Sequence, residues 1–316
     1  MDGAARRTRR KVQKWLVGRL LGNRSTRRFL EKQLIAAHPI LSNPQMRIAP
    51  PGHFYSPLPD ITALADGQPL ASTVWDGVNL NADGQRQLLG ELAEKASAFD
   101  WPEEQTPTRR FWLKNGYYEH CDSVTLFSFI RRFCPRRIME VGSGFTSALM
   151  LDTNDLYCDS SMQLTFIEPY PKRLNQLLTP RDAERARIIV SGVQRVPVEE
   201  FDQLEAGDFL FIDSSHVSKY GSDVNHLLFN VLPRLRPGVM IHMHDIFFPF
   251  EYPLQWLKDG RAWNELYLLR AFLQYNNAFE ILFSNSFVTA RYPEDVKRLI
   301  PLMDASRGAA MWLKKL

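Results

Sequence analysis

The stretch Arg136-Arg137-Ile138-Met139-Glu140-Val141-Gly142-Ser143-Gly144-Phe145-Thr146-Ser147 decides the fold. Ile138 to Val141 is a short apolar run of strand length, Gly142-Ser143-Gly144 is a turn, and Phe145 opens a helix that runs through Leu151. A strand, a Gly-x-Gly turn and a helix start bring backbone N–H groups and a helix N-terminus close to a ligand. Glu140 adds a carboxylate beside that turn, which disfavours a pyrophosphate and favours a cationic or amine-bearing ligand. A dinucleotide fingerprint also wants a third glycine where this chain has Ser147. Glu168 ends the next apolar run, 24 residues beyond Gly144, where a carboxylate accepts hydrogen bonds from ribose hydroxyls.

Alternation of short apolar runs with helical patterns continues outward from this point. Strands are expected at Leu164–Ile167, Ala186–Val190, Phe209–Ile212, Val239–Met243, Phe279–Phe283 and Ala310–Leu313. Helices are expected after Pro171, over Ser222–Leu235 and over Trp263–Tyr275. Upstream, Asp83–Phe99 carries a helical stripe, and Asp122–Phe133 reads as a helix with Asp122 as N-cap. The pattern predicts an α/β, Rossmann-like sheet of about seven mostly parallel strands, covered by helices on both faces. Ligands of such sheets sit at the strand C-termini, where the strand order reverses. The expected organisation is a basic helical extension over 1–38, a Pro-rich lid and helical segment over 39–110, and a catalytic domain over 111–316.

The net charge of +4 conceals an uneven distribution. Residues 1–32 hold eleven Lys or Arg against two acids, a balance of +9 that leaves −5 for the rest. Within that segment Leu16, Val17, Leu20 and Leu21 fall at helical spacing among Arg6, Arg7, Arg9, Arg10, Lys11, Lys14, Arg19, Arg24, Arg27 and Arg28. Four readings stay open: a solvated helix docked by one stripe, an anionic membrane surface, an organellar transit peptide, or nonspecific contact with nucleic acid. The remainder of the chain is not basic, which argues against a nucleic-acid substrate. No apolar run reaches membrane-spanning length, and Cys121, Cys134 and Cys158 lack metal-ligand spacing. A reducing, cytoplasmic setting is expected, with peripheral membrane contact as the variant; the sequence is silent on oligomeric state.

Two further strand ends carry chemistry. Phe209-Leu210-Phe211-Ile212-Asp213-Ser214-Ser215-His216 and Ile241-His242-Met243-His244-Asp245 should be neighbours, bringing Asp213, His216, His244 and Asp245 together. His242 lies deeper on its strand and reads as a hydrogen-bonded core histidine. Aromatic residues gather in loops where a lid would form, among them Phe54, Tyr55, Tyr117, Tyr118, Phe247, Phe248, Phe250, Tyr252, Trp256 and Trp263. His53, Tyr55 and Tyr252, in Pro-rich loops, are the expected substrate contacts, and Asn115, Tyr117 and Tyr118 could close over the cofactor.

The acidic Gly-x-Gly turn, the Asp213-x-x-His216 run and His244-Asp245 after Pro237-Gly238 together resemble class I S-adenosylmethionine (SAM) methyltransferases. The likeness is to the type grouped as methyltransferase family 24, to catechol-type O-methyltransferases and to cephalosporin hydroxylase-like proteins, and it covers about residues 115–290. It implies SAM as cofactor, held by Glu140, Gly142, Gly144, Thr146, Glu168 and Asp213. It implies a divalent metal as a further cofactor, with Asp213, His216, His244 and Asp245 as ligands. The catechol-type pattern has Asn where this chain has Ile246, so a histidine would have to supply that ligand. A metal-free His216 or His244 base, acting with Asp245, is the competing arrangement. The activity implied is methyl transfer to a hydroxyl, less readily an amine, of a small molecule or saccharide. The Asp/Asn-Pro-Pro-Tyr/Phe run of many amino-methyltransferases is replaced by Asp213-Ser214-Ser215-His216. A metal-dependent hydroxylase on the same fold and a noncatalytic SAM-fold protein are the alternatives.

Overall fold

A computed structural model describes residues 49, 51–61, 75–306 and 308–316. The basic N-terminal segment lies outside the described residues. The chain divides into two compact units, 1–66 and 67–316. In the first, the described residues form turns in which Gly52 donates to the Leu58 carbonyl, and the rings of His53, Phe54 and Tyr55 pack against one another. Tyr55 is 77% exposed.

The second unit is built on one seven-stranded sheet. Its strands are β1 (Arg137–Val141), β2 (Gln163–Ile167), β3 (Ala186–Ile189), β4 (Phe209–Ile212), β5 (Met240–Met243), β6 (Phe279–Ser284) and β7 (Met311–Lys315). The order is β3-β2-β1-β4-β5-β7-β6, with β7 antiparallel to both neighbours and the other pairs parallel. This is the expected Rossmann-like arrangement, with the order reversing between β1 and β4.

Strand periodicity sorts the core onto two faces. Ile138, Phe209, Phe211, Met240 and Trp312 point to one, where they meet α1 (Ala82–Ala96), α2 (His120–Phe133) and α3 (Phe145–Tyr157). Met139, Val141, Leu210, Ile212, Ile241, Met243 and Leu313 point to the other, against Val224–Leu235 and the helix Glu265–Leu273. Because α1 packs into this core through Leu88, Leu89 and Leu92, the unit containing the sheet begins well before residue 111. Arg110 reinforces that attachment. Its guanidinium, 12% exposed, bonds Asp152 and Asp155 on α3 and, farther along the chain, Asp182.

Two expected elements take another form. The helix over 222–235 is three short pieces: a helical turn at Asp223–His226, a wide turn at Leu227–Val231 and a 3-10 turn at Leu232–Arg234. Pro233 in the last piece removes a backbone donor and its ring crowds the carbonyl four residues earlier. Asp122 is not the cap of α2, which starts two residues sooner. Its carboxylate accepts from the amides of Ala309 and Ala310 and from Asn285, fastening α2 to the entry of β7.

Glu140 is also placed differently from expectation. It is fully buried, accepts from the hydroxyls of Thr146 and Ser147, and turns away from solvent into the start of α3. Burial pushes its pKa up to about 8, against the opposing pull of those two hydroxyls. The folded state therefore keeps a proton that the unfolded chain releases above the ordinary carboxylate range, so stability falls as pH rises from about 4.5 through about 8. Glu140→Gln keeps the shape without the titration. The gap in melting temperature between Glu140→Gln and wild type should widen from pH 5 to about 8.5; a gap constant across that range would contradict this.

Candidate active site

The site is assembled at the C-terminal ends of β1, β2, β4 and β5. Gly142, at φ +84°, makes the first close approach: a Cβ there would stand 1.7 Å from the carbonyl oxygen of Asp213. Only glycine lets the β1 turn lie against the end of β4. The turn amides are consumed internally. Gly142 donates to the Ile167 carbonyl, Ser143 to Glu168 Oε2 at 3.1 Å, and Gly144 to Ser147 Oγ at 3.0 Å. The turn thus offers a ligand proximity more than free donors, and Glu168 is oriented by Ser143 and by the Tyr170 amide on its other oxygen.

Two cavities open around these residues. One, of about 600 Å³, is lined by Gly142, Gly144, Thr146, Glu168, Asp213, His216, His244 and Asp245, with Tyr117, Tyr118, Arg173, Trp256, Arg261 and Trp263 on its remaining walls. The second, of about 390 Å³, lies between Glu168, Pro169, Tyr170, Val193, Gln194, Asp213 and Asp223. They share Gly142, Glu168, Asp213, Ser214 and Ser215, so one elongated ligand could span both. Ser214 Oγ and the Tyr118 hydroxyl are buried at this cavity without a protein partner among the described residues. Such groups suit a polar ligand.

His216 is the electrostatic centre. It is buried, with Nε2 at 3.3 Å from both Asp213 Oδ1 and Asp245 Oδ2, and Nδ1 at 2.8 Å from Glu265 Oε2. Burial alone would lower its pKa, but the bonds and charges of Asp213 and Glu265 outweigh that and push it up to about 10. Without a metal, these neighbours favour the protonated ring, which has no lone pair to accept a substrate proton. This environment counts against the metal-free base expected of His216 and leaves His244 and Asp245, which also line the cavity, for that role. Asp213 is lifted by burial and, more strongly, held below the usual range by the charges of His244 and His216 and by the His216 hydrogen bond. Asp245, 14% exposed, goes the other way, raised by burial and by Asp213 despite His244. His216 and Asp245 both adopt left-handed backbone, at φ +59° and +57°. That strain, about 1–3 kcal/mol each, is held by the surrounding structure; the amides of Asn264 and Glu265 bond the His216 carbonyl.

Asp213, His216 and Asp245 bring one ligand atom each within 4.8 Å of one another. Donors about 2.0–2.2 Å from a tetrahedral ion stand about 3.3–3.6 Å apart, so the 3.3 Å spacings fit a divalent ion in place of the Nε2 proton. The Glu265 carboxylate behind Nδ1 is the arrangement that orients a ligating histidine. His244 is not part of this group, although its Nε2 lies 3.7 Å from Asp245 Oδ1; its ring packs beside Tyr118. His242 is a core residue as expected, but it is stacked on Phe211 at 3.8 Å and not hydrogen-bonded among the described residues.

Of the remaining sequence-predicted residues, Gly142, Gly144, Thr146 and Glu168 reach the cavity and Glu140 does not. Tyr252 is buried, its hydroxyl accepting from the Leu266 amide, so it packs the core and does not line the cavity. His53 and Tyr55 belong to the first unit. Asn115 shapes the segment beside the cavity by accepting from the amides of Tyr117 and Tyr118. Sequence reasoning missed Arg173, Arg261 and Glu265. Glu265 gives only the ordinary signal of an acid in a first helical turn, and the two arginines lie in stretches without a motif.

The fold is that of the class I SAM-dependent methyltransferases, and the family match places the chain among them. The model of a methyltransferase-domain family, methyltransferase family 24, matches residues 139–246, from within β1 to just beyond β5. A protein of Archaeoglobus fulgidus, itself uncharacterized, is 34% identical over 170 residues, covering 50% of this chain and 75% of that one. Among solved structures, the chain is similar to the SAH-bound methyltransferase PaMTH1 of Podospora anserina, at 15% identity and TM-score 0.43, covering 75% of this chain and 93% of that one. It is also similar to the O-methyltransferase TomG of Streptomyces achromogenes, at 12% identity and TM-score 0.40, covering 73% and 89%.

The charge state of His216 can be read directly. In chelator-treated protein, side-chain NMR of histidine nitrogens should find that ring doubly protonated at about pH 8, and Glu265→Gln should lower its pKa by about one unit or more. The stabilisation it brings is present below its unfolded pKa near 6.5 and lost as pH rises through about 10. A ring already neutral at pH 7.5 would overturn this description.

Proposed function

We propose that the protein is a SAM-dependent O-methyltransferase acting on a hydroxyl of a small molecule or saccharide. The observation that supports the reading best is the pair of joined cavities meeting at Gly142, Glu168 and Asp213. Glu168 would take the ribose hydroxyls, Val193 and Gln194 would flank the base, and Arg173, stacked on Tyr117 at 3.8 Å, would face the methionyl carboxylate. When bound, SAM supplies a methyl group already activated on a sulfonium, so the protein has to align the acceptor and remove its proton.

Asp245 is the residue best suited to take that proton. Its carboxylate lines the cavity, is largely buried, and has its pKa raised by burial, which makes it a stronger base than an exposed aspartate. His216, positively charged and held by Glu265, steadies the carboxylates of Asp213 and Asp245. Asp213, His216 and Asp245 would hold a divalent ion, and such an ion would supply Lewis acidity to the acceptor hydroxyl. Peripheral membrane contact through the basic N-terminus remains part of the proposal on the strength of its Arg-rich amphipathic pattern.

Calorimetry with SAM and S-adenosylhomocysteine (SAH), with and without EDTA, tests the cofactor. Glu168→Ala should weaken SAH binding about ten- to a hundred-fold, the loss of charge-assisted hydrogen bonds. Asp245→Asn should leave SAH affinity in place and lower kcat on an accepted hydroxyl by about 10²–10⁴. Failure of both ligands to bind in any metal condition would defeat the methyltransferase reading and favour the hydroxylase or a noncatalytic protein.

A further inference from the structure

The wall of the larger cavity that faces His216 carries an arrangement the methyl-transfer chemistry does not use. The Arg261 guanidinium carbon lies 4.2 Å from the ring centroid of Trp256 and 4.8 Å from that of Trp263. The two indoles contact each other at 5.1 Å and are nearly perpendicular, at 79°. All three residues line the cavity and are partly buried. No carboxylate pairs with the Arg261 guanidinium among the described residues. The Arg261 amide bonds the Trp256 carbonyl at 3.0 Å, so the loop that carries the arginine is closed onto the element that carries one of its indoles.

A guanidinium packed on aromatic rings has its faces occupied and its in-plane N–H edge left over. That edge matches the oxygens of a carboxylate or phosphate, and the packing fixes the side chain before any ligand arrives. Position supplies the second half of the argument. Trp263 also packs on His216, at 4.4 Å between ring centroids, so a single indole separates Arg261 from the Asp213–His216–Asp245 group. The cavity therefore has an acidic end, where a hydroxyl would lose its proton, and a cationic wall one ring away. SAM has one carboxylate, and Arg173, whose Cδ would be 3.3 Å from a Cβ at Gly144, stands by the cofactor turn to meet it. Arg261 is left for the acceptor.

We infer that Arg261, seated between Trp256 and Trp263, binds an anionic group on the acceptor, so that the substrates of this site are hydroxylated organic anions such as hydroxy acids, acidic saccharides or phosphate esters. This rests on the methyl-transfer reading for the word acceptor, but not for the binding of the anion. The acid group at one end and the arginine at the other fix the direction in which such a molecule enters, because its anion is repelled by Asp213 and Asp245. The apolar body of the molecule would lie along the indoles.

The probes are acetate, sulfate and inorganic phosphate, titrated at constant ionic strength into SAH-saturated protein while tryptophan fluorescence is followed. Trp256 and Trp263 should report a saturable change with at least one of the three. The anion that gives it separates a carboxylate-bearing from a phosphate- or sulfate-bearing acceptor. Arg261→Gln should weaken that response about ten-fold or more, and Arg261→Lys, which keeps the charge but not the planar fork, should fall between. SAH affinity should stay within about two-fold in both variants, as expected of an independent site in a folded protein. A response that is absent, or unchanged in Arg261→Gln, overturns the inference while leaving methyl transfer standing. An Arg261-dependent response in a protein that binds neither SAM nor SAH would sink methyl transfer and leave the anion site.

Discussion

The imidazolium of His216 among three carboxylates is the interaction on which the site depends. Asp213 follows β4, Asp245 follows β5, and Glu265 opens the helix Glu265–Leu273, so one ring joins the ends of two strands and a helix that are distant in sequence. Without that positive charge, two half-buried carboxylates would face each other across the mouth of the sheet and at least one would have to take up a proton. The same geometry accepts a divalent ion in place of the Nε2 proton. The fold has prepared a cation position and left open what fills it. The left-handed backbone at His216 and Asp245 is tolerated because this network holds it.

A second constraint lies beneath it. The β1 turn can touch the end of β4 only because Gly142 has no side chain. That contact aligns Glu168, which the Ser143 amide holds, with Asp213 across the strand-order reversal. Glu140 serves the turn from behind, as a buried acid bonded to Thr146 and Ser147. A residue that reads in sequence as a ligand for a cation is in the folded protein a strut under the first turn of α3.

The cavity is polarised between the strand ends and the surrounding walls, and this limits its ligands as well as its size does. Acidic groups gather at the strand ends, and cationic side chains seated on aromatic rings, Arg173 on Tyr117 and Arg261 on the two tryptophans, stand on the surrounding walls. In a partly enclosed site such charges are screened less than on an open surface, so they select the orientation of a ligand as well as its charge.

The alternation of strands and helices, the Gly-x-Gly turn and the acids at strand ends were legible because each is a local pattern: periodicity, a backbone requirement, or a polar residue directly after an apolar run. By themselves they determined the sheet, the reversal point and the convergence of Asp213, His216 and Asp245. Tertiary structure decided what depends on where a side chain points and on what comes from far along the chain. It turned Glu140 inward and buried Tyr252, and it gave Asp122 to the amides of Ala309 and Ala310 instead of its own helix. It brought Glu265 behind His216, 49 residues away, and so favours the charged form of that ring. Local sequence specifies backbone conformation, but a pKa and a partner are set by burial and by neighbours that only the folded chain assembles.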